Sequence, residues 1–222
     1  MWADGQFERW QQRMSAPENE FPGSAGISAL LGRTADAAVG IGEFAGFSTG
    51  FRFTLAVRLR RPRPEFARGG LFGLLSAHVH PGVAIPPASR LLLGLEYADG
   101  RRADTLRDRR AEGPGSAPDD EQLLFTQQSG GGGDTSVDQT YWVSPLPPAG
   151  PVTFVLSWPS FGMAEIRTEV DGTAIRAAAG RSEQLWPPQP PDEPTPPPPA
   201  PRPTTGWFSY PEEPPKEGPA EG

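Results

Sequence analysis

The 222-residue sequence contains no cysteine. That excludes structural disulfides, thiolate zinc sites, iron–sulfur ligation and cysteine nucleophiles together. Lysine is almost absent too: Lys216 is the only one, and arginine supplies the other positive charges. This bias, beside abundant Ala, Gly and Pro, is what GC-rich codons produce. No run approaches the roughly 18 apolar residues a membrane helix needs. The opening residues, MWADGQFERWQQRM, lack the basic start and apolar stretch of a signal peptide. A cytoplasmic protein is the expectation. Net positive charge is also missing. At −7, the chain lacks the overall basic balance that phosphate neutralisation favours, which speaks against nucleic acid as a partner.

Proline and glycine are plentiful, with 29 and 27 copies. The aliphatic residues concentrate between Ile27 and Trp186, a length sufficient for one full core. Within it, FRFTLAVRLR from Phe51 to Arg60 alternates strictly. Phe51, Phe53, Leu55, Val57 and Leu59 share one face, and Arg52, Thr54, Ala56, Arg58 and Arg60 the other. This is the pattern of a strand with one buried side. Further strands are expected at 27–31, 37–44, 91–98, 123–127, 137–143, 152–158 and 165–170. Residues 71–79 read as strand or loop. Asp99-Gly100 and Asp171-Gly172 are turn signals. Ala174–Ala179 suits a short helix capped by Asp171 or Thr173. Many short strands separated by Gly, Pro and Asp loops predict an all-β fold, an antiparallel β-sandwich of immunoglobulin-like or related type. Two loops, 101–122 and the SGGGGD run 129–134, are long enough to be functional or disordered.

The division is therefore threefold. Residues 1–23 form an N-terminal segment. In it Phe7, Trp10 and Met14 have helical spacing behind Asp4, so it is a short docked helix or a frayed end. Residues 24–186 form the sandwich. Residues 187–222 form a proline-rich tail, expected to be disordered or extended because proline removes backbone donors.

No residue pattern reaches a catalytic or cofactor signature. His78 and His80 would share a strand face and could offer two metal ligands, with no third in view. Asp119, Asp120 and Glu121, with Asp134 and Asp138 close by, could hold calcium, but their spacing is not that of a calcium loop. Gly130–Gly133 lacks the Lys-Ser/Thr ending of a phosphate loop. There is no Gly-x-Ser-x-Gly elbow. Neither a metal nor a cofactor is expected. Arg52, Arg58, Arg60, Arg61, Arg63 and Arg68 make the most basic region, whose simplest reading is a solvated sheet face. Trp142, Trp158 and Phe161 could form an aromatic platform for sugar rings, although Trp158 shares parity with core residues. Trp207, Phe208 and Tyr210 stand in a segment that cannot build its own core, so they either dock on something or remain a functionless tail.

The stretch WVSPLPPAGPVTFVLSWPSFGMAEIRTEVDGTAIRAAAGRSEQLWP resembles one found in uncharacterised proteins of GC-rich actinobacteria. GFRFTLAVRLR, from Gly50 to Arg60, is similar to an earlier part of the same group. The resemblance implies one shared domain and brings no activity with it. The expectation is a non-catalytic interaction or scaffold module that meets an unknown protein partner through Trp207, Phe208 and Tyr210. A small-ligand or carbohydrate-binding sandwich is the alternative, and an enzyme of unrecognised type the third reading.

Overall fold

The computed structural model describes residues 10, 13–63, 70–75, 89–106 and 122–187. The chain opens with β1 (Glu20–Phe21), β2 (Gly23–Ser24), β3 (Ala29–Arg33), β4 (Ala37–Phe47) and β5 (Gly50–Leu59). A short helix α1 (Gly70–Leu75) follows, then β6 (Leu92–Tyr97), β7 (Arg102–Asp104), β8 (Leu124–Gly132), β9 (Ser136–Ser144) and β10 (Pro151–Trp158). A 3-10 turn (Pro159–Phe161) leads into β11 (Met163–Asp171), α2 (Gly172–Ala179) and β12 (Glu183–Gln184). One sheet runs β2-β4-β5-β9-β8, with β3 beside β2 on the outer edge of β4. A second runs β11-β10-β6-β7, and β1 with β12 forms a two-stranded ribbon. All pairs are antiparallel. The fold is an antiparallel β-sandwich, not a closed barrel.

The alternation of β5 decides the packing. Phe51, Phe53, Leu55 and Val57 are fully buried, opposite Val143, Tyr141, Gln139 and Val137 of β9. From the other sheet Val152, Phe154, Leu156, Leu93 and Leu95 meet them. Phe154 sets its edge against Phe53 at 5.1 Å and Phe44 at 6.0 Å, so aromatic contacts join the two layers. On one side β3 closes the sandwich. A Cβ on Gly32 would stand 2.9 Å from Leu156 Cδ2 and 3.0 Å from Met163 Sδ. A bulge between Gly42 and Ala45 puts Glu43 at φ 54°, where its carboxylate accepts from Thr54 Oγ1 at 2.7 Å.

Asp171 caps α2, accepting from the Thr173 amide at 2.8 Å. The helix lies directly on β2 and β4. At Gly46 an added Cβ would come within 2.8 Å of Ala179 Cα, and at Gly23 it would overlap the Ala178 carbonyl. Gly46→Ala is therefore expected to cost about 1–3 kcal/mol, because backbone and not a flexible side chain must yield. Gly131→Ala, which faces open space, should leave the melting temperature within about 2 °C of the parent. Thermal unfolding of the two variants checks this.

Two expectations need correction. Residues 70–75 form a helix where strand or loop was expected; Leu71 is fully buried and Phe72 and Leu75 pack against the core. The glycine run was expected to be a loop, but Gly130, Gly131 and Gly132 pair with Gln139, Asp138 and Val137 as the end of β8. Missing side chains make that pairing possible. A Cβ on Gly130 would press on Phe72 of α1 at 3.2 Å, and one on Gly132 would overlap the Ser136 carbonyl. The long loop expected over 101–122 begins as β7, and residues 107–121 lie outside the described residues.

Candidate interaction surface

The β-sandwich has two ends. At one end lie the β4–β5 turn, α2 and the ribbon. Ribbon pairing sets Glu20 against Gln184 and Phe21 against Glu183. The Leu185 amide extends it by donating to the Asn19 carbonyl at 2.8 Å, and Asn19 Nδ2 donates to the Trp186 carbonyl at 2.8 Å. Residues two apart on a strand share a face, so Phe21 and Leu185 lie diagonally on one side of the ribbon.

Polar contacts fix the ribbon to the domain. The Glu20 carboxylate accepts from the Ser48 amide at 2.8 Å and from the Ser48 hydroxyl. Arg181 donates to the Ser24 carbonyl at 2.6 Å and to the Ala177 carbonyl at 3.0 Å. Ser182 Oγ donates to the Ala179 carbonyl at 2.8 Å. An open cleft of about 660 Å³ lies between residues 21–23 and 180–183. Phe21, which lines it, is 66% exposed, and just past the ribbon strand β12 Leu185 is 49% exposed and Trp186 50%. Large apolar side chains clustered at the surface of a described domain are what a contact surface requires.

The residues singled out in the sequence fall elsewhere. His78, His80, the acidic triplet 119–121, and Trp207, Phe208 and Tyr210 lie outside the described residues. Asp138 is held by Arg58 through both carboxylate oxygens, at 2.8 and 3.0 Å. No group of three metal-ligating side chains occurs among the described residues.

The aromatic platform is corrected. Trp158 is fully buried, donates Nε1 to the Ser89 carbonyl at 3.1 Å and packs against the tilted ring of Phe161 at 4.1 Å. Trp142 projects from the outer sheet face, yet it too is fully buried. Phe47 meets it edge-on at 5.5 Å, and its Nε1 donates to the Arg13 carbonyl at 2.8 Å. The Met14 carbonyl accepts from Gln128 at 2.8 Å and from Thr126 at 3.3 Å, so residues 13–14 lie across this face. Arg52 also stands over the Phe47 ring at 5.7 Å. Its face therefore carries aromatic contacts that strand parity within β5 alone did not show.

The interior holds three notable polar side chains. The Tyr97 hydroxyl donates to the Pro145 carbonyl at 2.6 Å, and burial raises its pKa well above the ordinary value, against a smaller opposing effect of Arg101. The Tyr141 hydroxyl donates to Gln139 Oε1 at 2.9 Å, and burial raises its pKa also. Gln139 is buried, and its Nε2 has no hydrogen-bond partner among the described residues. At the surface, a hydrogen bond from Arg101 lowers the Asp99 pKa and closes the β6–β7 turn. Tyr141 and Gln139 share β9, Tyr97 lies on β6, and none of the three lines the cleft beside the ribbon.

The sequence reading missed Phe21, Leu185 and Trp186 as a group. In the sequence Trp186 marks only the end of the sandwich, and Phe21 sits in the N-terminal segment with no pattern that singles it out. Comparisons with protein-family models, with curated proteins and with solved structures find no match.

Proposed function

We propose that this chain is a non-catalytic protein-interaction module. The sandwich is the scaffold, and the ribbon end presents Phe21, Leu185 and Trp186 to a protein partner. The observation that carries this reading is their joint exposure on a ribbon anchored by Glu20 and Arg181. Burying an apolar side chain of this size fully is worth about 1.5–3 kcal/mol, so covering three half-exposed ones supplies a useful share of a binding energy. The proline-rich segment after Pro187 brings Trp207, Phe208 and Tyr210 as a second recognition element. Two linked contacts on one partner raise its apparent affinity without further surface. A cysteine-free chain with no long apolar helix among its described residues suits the reducing cytoplasm, where we place it.

The test is a capture experiment from lysate of the native host. Three baits are compared: the full chain, a chain ending at Trp186, and the full chain with Phe21→Ser and Leu185→Ser. A discrete protein held by the full chain and depleted about tenfold or more with each altered bait supports the proposal. The same proteins on all three baits, or empty eluates, overturn it.

A further inference from the structure

The opposite end of the sandwich is built from arginine. Arg33 closes β3, Arg60 and Arg61 follow β5, and Arg90 precedes β6. The topology gathers these separate stretches. Ala38 pairs with both Arg33 and Arg58. The Arg60 amide donates to the Asp36 carbonyl at 2.8 Å. Arg63 lies over the Phe161 ring at 4.9 Å, Phe161 packs against Trp158, and Trp158 bonds to Ser89, the neighbour of Arg90.

Among the described residues, charge at this end is not balanced. Asp138, Asp36 and Glu165 are already engaged by Arg58, Arg63 and Arg167. The side chains of Arg33, Arg60, Arg61 and Arg90 are exposed and make no hydrogen bond, ion pair or ring contact among the described residues. Asp134 is the one carboxylate at this end, among the described residues, left without a partner. In a chain of net charge −7, four free guanidiniums at one pole oppose the overall sign and orient an approaching anion.

We infer that this arginine pole is a second docking surface, independent of the ribbon, and that its partner is an acidic protein segment. Guanidinium forks match carboxylates two bonds at a time, and separate turns present them to a chain that passes across the end. Nucleic acid fits less well. The aromatic rings nearest these arginines among the described residues, Trp158 and Phe161, are buried, so no base can stack on them. An anionic membrane fits less well too. Of the large exposed apolar side chains only Leu106, just past β7, lies toward this end among the described residues, and one leucine is a weak anchor.

The probe is a fluorescent octaglutamate peptide, titrated with the full chain at low salt and followed by anisotropy. Arg60→Gln with Arg61→Gln removes two free charges. Arg102→Gln with Arg176→Gln removes two that lie away from this pole and are engaged by Glu96 and by the Pro147 carbonyl, an equal change in net charge. All four side chains are exposed, and neither variant touches the core. The expected result is saturable binding, weakened about tenfold by the first pair and less than twofold by the second. It should fade as salt screens the charges. Octathymidylate and phosphatidylserine vesicles serve as competing anions. No peptide binding, equal weakening in both variants, or tighter binding of octathymidylate or vesicles would overturn the inference.

Discussion

Phe53→Ala is expected to destabilise the fold by about 3–5 kcal/mol, a large part of the roughly 5–15 kcal/mol a domain possesses. Phe53 is fully buried at the centre of the aromatic cluster. Its ring stacks on Phe44 and on Tyr141 at 5.5 Å each and on Phe125 at 6.1 Å, and meets the edge of Phe154 at 5.1 Å. Truncation opens a cavity between two hydrogen-bonded sheets, which cannot close over it without losing register. Urea unfolding measures the loss. Phe21→Ala is the matched control: the same chemistry at an exposed site should change stability by less than about 0.5 kcal/mol. A loss at Phe53 below about 1.5 kcal/mol would mean that the two layers do not meet as described.

Alkaline pH is expected to have the next largest effect. Tyr97 and Tyr141 both have raised pKa values in the fold, chiefly through burial. In the unfolded chain tyrosine ionises near pH 10. Above that pH the folded state holds protons that the unfolded state has released, so the stabilising contribution, complete below pH 10, is lost as pH rises toward the folded values. The slope is about 1.4 kcal/mol per pH unit for each phenol, about 2.7 for the two. Stability should be flat between roughly pH 8 and 9.5 and fall by about 2–3 kcal/mol at pH 11. Absorbance at 295 nm should show these phenols ionising together with unfolding. The Tyr97→Phe, Tyr141→Phe double variant should flatten the slope, whatever its stability at neutral pH. An unchanged slope in that variant would assign alkaline lability to other groups.

The sandwich was legible because its signal is local. One face of β5 is core and the other is wet, so alternation over ten residues shows the strand without knowledge of its neighbours. The same holds for β10, where Val152, Phe154, Leu156 and Trp158 all reach the core. The short helix at Ala174–Ala179 was legible from its alanines, and of its two candidate caps, Asp171 and Thr173, the structure uses Asp171. GLFGLL in α1 was not legible, since a short apolar run has no period that separates helix from strand. Gly130–Gly132 misled because glycine carries no side-chain pattern; its pairing is dictated by β9 and by the closeness of Phe72.

The candidate surfaces were less legible than the fold. Glu20 pairs with Gln184, and no local signal in a two-residue strand points to a partner so far along the chain. Phe21 and Leu185 therefore became one surface only in three dimensions. The arginine run after β5 was plain, but Arg33 and Arg90 join it only through the strand order. Trp142 shows the reverse: its parity placed it outside the core, and residues 13–14 cover it.

The most direct test of the central claim is site-specific photocrosslinking in the native host. A benzophenone side chain is placed at Phe21 and, as control, at Leu30 of β3, which is 58% exposed and away from the ribbon. The account predicts a discrete crosslinked protein from position 21 and none from position 30. Equal adducts at both positions, or none at position 21, would contradict it.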